Sequence, residues 1–278
     1  MELDDIKKHW DTNATHNKTA LLSTTKTPTI KQLEIDAFYR EIKKLHENTS
    51  KQKLLEVGCG NGYNLFGLAD SFPMIEMYGV DYSEEMINAA NTLKKEQPNS
   101  NIQFEVADVL SIQDEGISAS TYDYVITNRM LINLNSWALQ KKALENLVSL
   151  LNHDGHLILI ENFNSSYKNQ NELRELIGLP SRVPDAYNKF LDEDVFEIFL
   201  RNELNLQIVD SNNFASLHDI LLYVLIPHFN SGKVSYDHPI MESVTNLLKD
   251  LPDKFLKNFG YFGQNNIYVL KKNKCLNY

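Results

Sequence analysis

The chain reads as an α/β protein: a doubly wound, mostly parallel sheet with helices on both faces and a helical cap inserted between the last two strands. Three observations predict it. From Lys53 onward, apolar runs of strand length alternate with helix-length patterns, the rhythm of right-handed βαβ units. The first run leads into Leu54-Leu-Glu-Val-Gly-Cys-Gly-Asn-Gly62, where an acid precedes three glycines at alternate positions and a helical pattern follows. Two late runs stand about fifty residues apart, too far for a turn, and helical spacing recurs between them.

Residues 1–50 read as a helical lead-in, with Leu33, Ile35, Phe38, Tyr39 and Ile42 near helical spacing. Trp10 reads as a ring folded over the cofactor or as an anchor for this lead-in. The main domain is expected over 51–272. Its first five strands are expected at Leu54–Val57, Ile75–Val80, Ile102–Val106, Tyr122–Thr127 and His156–Ile160. Between them, Leu65, Leu68, Ala69 and Phe72 share one helix face, Met86, Ala90 and Leu93 a second, and Leu144, Leu147, Val148 and Leu151 a third. Ser83 suits an N-cap, with Glu84 and Glu85 favouring the positive helix end. Residues 163–191 read as a loop-rich excursion on the substrate side, after which Val195–Leu200 resumes a helix. Leu206–Val209 and Ile267–Leu270 are the late strands. The cap is expected over 215–262, where Ile240, Val244, Leu247 and Leu248 repeat behind Pro239, a suitable first-turn residue. Residues 273–278 read as a tail.

Bulk properties exclude several classes. A net charge of −10 opposes phosphate backbones, so nucleic acid is not expected as a main partner. Two cysteines, Cys59 and Cys275, make no disulfide framework, which fits a reduced, cytoplasmic setting. The N-terminal segment has no signal-peptide apolar region, and the apolar run Ile220 to Pro227 is too short to span a bilayer. That run reads as buried packing or as a membrane-associated lid, and stable insertion is not expected.

Gly58, Gly60 and Gly62 lack the Cβ that would hold a ligand away from the backbone, so they suit a tight turn against a nucleoside. Asp81 ends the second apolar run, and Ala107-Asp108 follows the third. A dinucleotide fingerprint competes for the same features, but it wants glycine at the sixth position of G-x-G-x-x-G, where this chain has Tyr63. Taken singly, Asp81 and Asp108 also read as capping or loop acids. Cys59 reads as a small turn residue, with no base placed near it.

This order of pieces resembles the class I S-adenosylmethionine-dependent methyltransferases, whose Rossmann-like fold has seven strands with an antiparallel edge. The resemblance implies that Asp81 takes the ribose diol, with Tyr82 and Met86 flanking the adenine. It implies that Asp108 and the backbone at Val109 read the adenine amino group, and that Glu56 and Gly58 face the amino-acid tail while Gly60 gives the backbone room. Arg129-Met-Leu-Ile-Asn-Leu134, in the segment after Tyr122, resembles an R-x-L-I-N-L motif of a bacterial subgroup. Glu161, Tyr187-Asn188 and Gly260-Tyr-Phe-Gly263 extend that likeness. After Phe214 the chain departs from the subgroup, carrying His218, Asp219 and Tyr223.

The acceptor is expected beyond the carboxyl ends of the fourth and fifth strands, where Asn128, Arg129 and Glu161 fall. Asn128 is counted with the cofactor residues. Arginine is scarce, five against twenty-two lysines, so Arg129 reads as a fork for a carboxylate, phosphate or hydroxyl-rich acceptor, or else as a structural partner of Glu161 or another acid. Glu161 reads as a general base or a hydrogen-bond anchor. Tyr187 and Asn188 are candidates to contact the acceptor, with a plain loop role as the alternative. No metal-ligand spacing is present. The expected activity is methyl transfer from S-adenosylmethionine to a small-molecule or glycan-like acceptor, at oxygen by association with the subgroup. The alternatives are N-methylation of an amine or protein side chain, and a non-catalytic cofactor-binding regulatory subunit.

Overall fold

The seven apolar runs become seven strands: β1 (Gln52–Val57), β2 (Ile75–Asp81), β3 (Ile102–Val106), β4 (Tyr122–Asn128), β5 (Leu151–Asn162), β6 (Leu206–Asn212) and β7 (Asn265–Lys272). They form one sheet in the order β3-β2-β1-β4-β5-β7-β6. The first five are parallel, and β7 runs antiparallel to both β5 and β6. The structure is a computed structural model describing residues 1–273 except 18, 26, 47–50, 98–100 and 115, with backbone alone at 22, 114, 118 and 119. Cys275 and the tail beyond 273 lie outside the described residues.

Alternate strand residues feed two apolar layers, as the two-residue repeat of a pleated strand requires. Leu54, Met77, Tyr124, Ile126, Ile158 and Ile160 face one layer; Leu55, Val80, Val125, Leu157 and Leu159 face the other. The first layer is covered by α2 (Pro28–Leu45) and α3 (Tyr63–Ala69), and the second by α5 (Trp137–Ser149) and α7 (Glu193–Asn202). Helix α4 (Glu84–Glu96) begins where expected, with the Ser83 side chain accepting from Met86 N at 3.3 Å.

Two expectations, for 163–191 and for the start of β5, are corrected, and two are given detail. The lead-in holds two separate helices, α1 (Leu3–Asn17) and α2, the second burying Leu33, Phe38 and Ile42. Within 163–191, the segment Asn164–Leu176 is a helix, α6, and only the stretch beyond it is irregular. Strand β5 starts at Leu151 rather than His156, because its pairing with β4 shifts between Tyr122 and Tyr124. A Cβ on Gly155 would stand 2.8 Å from the Tyr122 carbonyl oxygen, so glycine allows the irregular segment to lie against β4.

Between β6 and β7 the chain forms α8 (Ser216–Ile220), a π turn over Leu221–Leu225, α9 (Ile226–Phe229), α10 (Pro239–Asp250) and α11 (Asp253–Leu256). Within this insertion, α10 packs on α2 and buries Met241, Val244 and Leu248 in the first layer. Arg40 of α2 stitches the two together, donating to the Leu251 carbonyl at 2.7 Å and pairing with Asp253 at 3.1 Å.

Candidate active site

The carboxyl ends of β1, β2 and β4 open onto a cavity of about 800 Å³. Every sequence-predicted site residue lines it except Glu56 and Glu161. Gly58 and Gly60 have φ of 75° and 53°, in the left-handed region that glycine enters without steric cost. A Cβ at Gly60 would stand 2.6 Å from Thr24 Cγ2, and one at Gly58 would stand 2.5 Å from Met130 Cγ. The turn is held against β2, where Gly58 N donates to the Val80 carbonyl at 2.8 Å.

Asp81 closes this corner. Its Oδ2 accepts from Gly60 N and its Oδ1 from Ser83 N, each at 2.9 Å. Burial pushes its carboxyl up to about 6, with the charges of Asp11 and Asp108 adding to the shift and the two backbone donors opposing it. Met86 and Tyr82 stand beside it on the cavity wall. Asp108 is exposed and accepts from Leu110 N at 2.9 Å, while the Val109 carbonyl is occupied by Asn146 at 2.7 Å.

Beneath the turn lies a buried polar chain. Glu56 is fully buried, and burial pushes its carboxyl up to about 8. Its Oε1 accepts from Asn64 Nδ2 at 2.5 Å, Asn64 Oδ1 accepts from Lys31 Nζ at 3.2 Å, and Lys31 pairs with Glu34 at 2.8 Å. Glu56 Oε2, Asn61 Oδ1 and Asn128 Oδ1 are buried acceptors with no donor among the described residues. Such groups are costly to leave unpaired, so this corner suits a ligand that brings N–H donors or positive charge.

Arg129 pairs not with Glu161 but with Glu34, 3.0 Å away, and its backbone adopts a φ of 54°. That conformation is uncommon for a side-chain-bearing residue. It is fixed by Arg129 N donating to the Ile160 carbonyl at 2.7 Å and by Asn133 Nδ2 donating to the Arg129 carbonyl at 2.8 Å. Glu34 also accepts from Asn128 Nδ2 at 2.7 Å and Asn265 Nδ2 at 2.8 Å. Burial alone would raise the Glu34 carboxyl, but the charges of Arg129 and Lys31 outweigh it and hold the group below its ordinary value.

Glu161 is fully buried beneath the cavity floor. Its Oε1 accepts from Thr127 Oγ1 at 3.1 Å and from Met130 N and Leu131 N at 3.0 Å each; its Oε2 accepts from Ile132 N at 3.4 Å. Burial pushes this carboxyl up to about 7. With both oxygens engaged and no place in the cavity lining, its geometry is that of an anchor, and a general base at this position is not what the geometry provides.

Opposite the glycine turn, Tyr187 and Asn188 line the cavity beside Trp10 and several residues that the sequence did not single out. Tyr187 stacks on His9 at 4.3 Å and meets the edge of Trp10 at 5.8 Å. Trp10 Nε1 donates to Asn133 Oδ1 at 3.3 Å, and one side of α1 lines the cavity. Arg182 and Tyr236, with Asp219 and Tyr223 that the sequence marked as departures, complete this half. The signal for Arg182 was present: the scarcity that singled out Arg129 applies equally to it.

His218 does not line the cavity; it is fully buried between Asp219 and Thr29, at 2.8 and 3.0 Å. Burial raises the Cys59 thiol, which disfavours the reactive thiolate. Among the described residues no group of three His, Cys, Asp or Glu side chains could hold a metal ion, and no helix is long and apolar enough to cross a membrane.

Residues 48–205 match the family described as "Methyltransferase domain". The chain is similar to an uncharacterized protein of Rickettsia prowazekii, 28% identical over 166 residues that cover 58% of this chain and 64% of that protein. It is also similar to a malonyl-[acyl-carrier protein] O-methyltransferase of Bacillus anthracis, 34% identical over 109 residues that cover 39% of this chain and 37% of that enzyme. The matches therefore span less than two thirds of either relative's length. In fold, the chain is similar to magnesium protoporphyrin IX methyltransferase from Synechocystis PCC 6803 with bound S-adenosylhomocysteine, with a TM-score of 0.55, 17% identity, and coverage of 87% of this chain and 83% of that one.

Proposed function

The chain belongs to the methyltransferase-domain family, and from that premise we propose that it is an S-adenosylmethionine-dependent enzyme that methylates an oxygen atom of a small-molecule or glycan-like acceptor. The observation that carries this reading is one continuous cavity with two chemically distinct halves. The first half, around the glycine turn, offers acids and orphaned acceptors to a cationic nucleoside. The second, around Tyr187, Arg182 and Tyr223, offers aromatic walls and a guanidinium. The volume of about 800 Å³ lies within the range of ~300–1,000 Å³ typical of small-molecule sites.

In this reading the free lone pairs of Asp81 accept the two ribose hydroxyls, a bidentate role natural to a carboxylate. Tyr82 and Met86 flank the adenine, and Asp108 with the Val109 N–H meets its edge. Asn61 and Asn128, which line the cavity, supply acceptors for the ammonium of the amino-acid tail, and Glu56 behind them adds negative charge, consistent with the orphaned oxygens there. When bound, the cofactor supplies an activated methyl group on a sulfonium. The protein's task is then alignment and exclusion of water, which can contribute roughly 7–11 kcal/mol. Tyr187, Asn188 and Trp10 close the acceptor half. Glu161 acts as a positioning residue that fixes the Met130–Ile132 backbone, and Arg129, neutralised by Glu34, borders both halves.

Oxygen as the methylated atom is supported by the likeness to the malonyl-[acyl-carrier protein] O-methyltransferase. The test is turnover to S-adenosylhomocysteine with parallel panels of carboxyl, hydroxyl and amine acceptors. Product from a carboxyl or hydroxyl acceptor supports the proposal. Product from amines alone moves the chemistry to nitrogen, and cofactor binding without turnover on any panel points to a regulatory subunit.

A further inference from the structure

We propose that Arg182 is an anion-binding point in the acceptor half of the cavity, so that the acceptor carries a carboxylate or phosphate group; this rests on the reading of the cavity as a methyltransferase site. Among the described residues the five arginines divide sharply. Arg40 pairs with Asp36 and Asp253, Arg129 with Glu34, and Arg201 with Glu197. Arg174 and Arg182 have no carboxylate within ion-pair distance, and of these two only Arg182 lines the cavity.

Its surroundings fix the guanidinium without neutralising it. The backbone is clamped by Asn171, which accepts from Arg182 N at 2.9 Å and donates to its carbonyl at 3.0 Å. The guanidinium lies 3.5 Å over the Tyr223 ring and 5.4 Å from the Tyr167 ring. Nη1 donates to Gln170 Oε1 at 2.6 Å. The Gln264 amide, in the orientation that satisfies both its ends, accepts from Nη1 at 2.5 Å and Nη2 at 3.2 Å. Every one of these partners is neutral, and the Nε–H has no acceptor among the described residues. Arginine held this way keeps an oriented pair of donors, the fork that matches a carboxylate or phosphate.

The neighbouring acids do not serve as substitutes. Asp219 accepts from His218 Nδ1 and from Gln264 N, each at 2.8 Å, and Asp185 accepts from the Tyr187 hydroxyl at 2.9 Å. Arg174 adds a second positive charge nearby, its own donors spent on the Pro180 and Tyr223 carbonyls. Burial, joined by the charge of Arg182, holds Arg174 below its ordinary value.

Calorimetry on the full chain saturated with S-adenosylhomocysteine tests the proposal, with glutarate, inorganic phosphate and neutral glutaramide as probes. Glutarate or phosphate is expected to bind, glutaramide is not, and Arg182→Gln should weaken the anion by at least about tenfold while leaving S-adenosylhomocysteine affinity unchanged. The tighter of the two anions identifies the acceptor's charged group. Arg182→Lys, which keeps the charge and loses the fork, should fall between wild type and Arg182→Gln, and it decides the matter if Arg182→Gln loses its thermal transition. Equal binding to wild type and variant, binding of glutaramide as tight as glutarate, or no binding of either anion overturns the proposal. Failure of the wild type to bind S-adenosylhomocysteine would instead strike the cofactor reading, a separate result.

Discussion

The carboxylate of Asp81 accepts a hydrogen bond from the backbone N–H of Gly60 at 2.9 Å, joining the acid at the end of β2 to the glycine turn that follows β1. Two sequence features twenty-one residues apart are thereby one structural unit. The turn orients the acid, and the acid satisfies a turn N–H that would otherwise lack a partner.

Removing the acid should therefore damage both recognition and the turn. Asp81→Ala is expected to weaken S-adenosylmethionine by at least about tenfold, since a bidentate charged hydrogen bond is lost. Gly60→Ala should lower affinity by a different route. Its φ of 53° and the 2.6 Å approach to Thr24 Cγ2 force the turn to shift. Calorimetry with thermal melts separates the two: Asp81→Ala loses affinity beyond its loss of stability, and Gly60→Ala loses both together. Wild-type affinity in Asp81→Ala would remove it from the ribose.

The raised carboxyls make opposite predictions for stability and for binding. Glu56, pushed by burial to about 8, has a folded value above its unfolded one. The stability it contributes is complete below the unfolded value, about 4.3, and is lost as pH rises through 8. The ligand-free protein should thus melt at lower temperature as pH climbs from 5 to 8, and Glu56→Gln should flatten that slope. Cofactor affinity should move the other way. A cation favours ionised Glu56, so binding at pH 7 releases a proton and tightens up to pH about 8. A second break is expected near 6, below which Asp81 takes up its proton. Calorimetry in buffers of differing ionisation enthalpy reads the released proton, and its absence would place the ammonium away from Glu56.

How much of this was visible in the residues depends on what burial selects. Strands were legible because their apolar runs, such as Tyr122–Thr127, feed both layers of the core. Helix α6 was not: the face it buries carries Ser166, Tyr167, Gln170 and Arg174, at helical spacing but mostly polar, so hydrophobic periodicity is blind to it. Lys31 and Glu34 escaped for a related reason. Charged residues on a helix ordinarily read as its solvated face, and their partners Asn64 and Arg129 are brought to them only by the fold. The half of the cavity around the glycine turn was legible because its residues lie on the turns after β1 to β4. The other half is assembled from α1, the segment after α6 and the insertion before β7, which no local spacing connects.

Glu161 offers a clean separation between an anchor and a base. Glu161→Gln keeps an oxygen for Thr127, Met130 and Leu131 and disturbs only the long contact to Ile132. It should melt close to wild type and retain most of its turnover. Glu161→Ala leaves several buried donors unpaired, a loss of about 2–4 kcal/mol. A Gln variant that folds normally, binds cofactor normally and turns over a hundredfold more slowly would restore the base.

Trp10 reports on closure of α1. The helix is fixed by buried Ile6 and Ala14, by Asp11 accepting from Ser83 Oγ at 2.5 Å, and by the Trp10 contact with Asn133. The chain's other tryptophan, Trp137, packs on Phe199 at 5.4 Å and does not line the cavity. Cofactor binding should therefore shift tryptophan emission in wild type and in Trp137→Phe, but not in Trp10→Phe. Trp10→Ala, which removes the ring that meets Tyr187 and His9, should weaken the cofactor about fivefold, or ~1 kcal/mol. It should also speed proteolysis within residues 1–17. Emission that tracks Trp137 instead would mean that α1 does not sense the ligand, and the cavity would then have to be closed by the segment carrying Tyr187 alone.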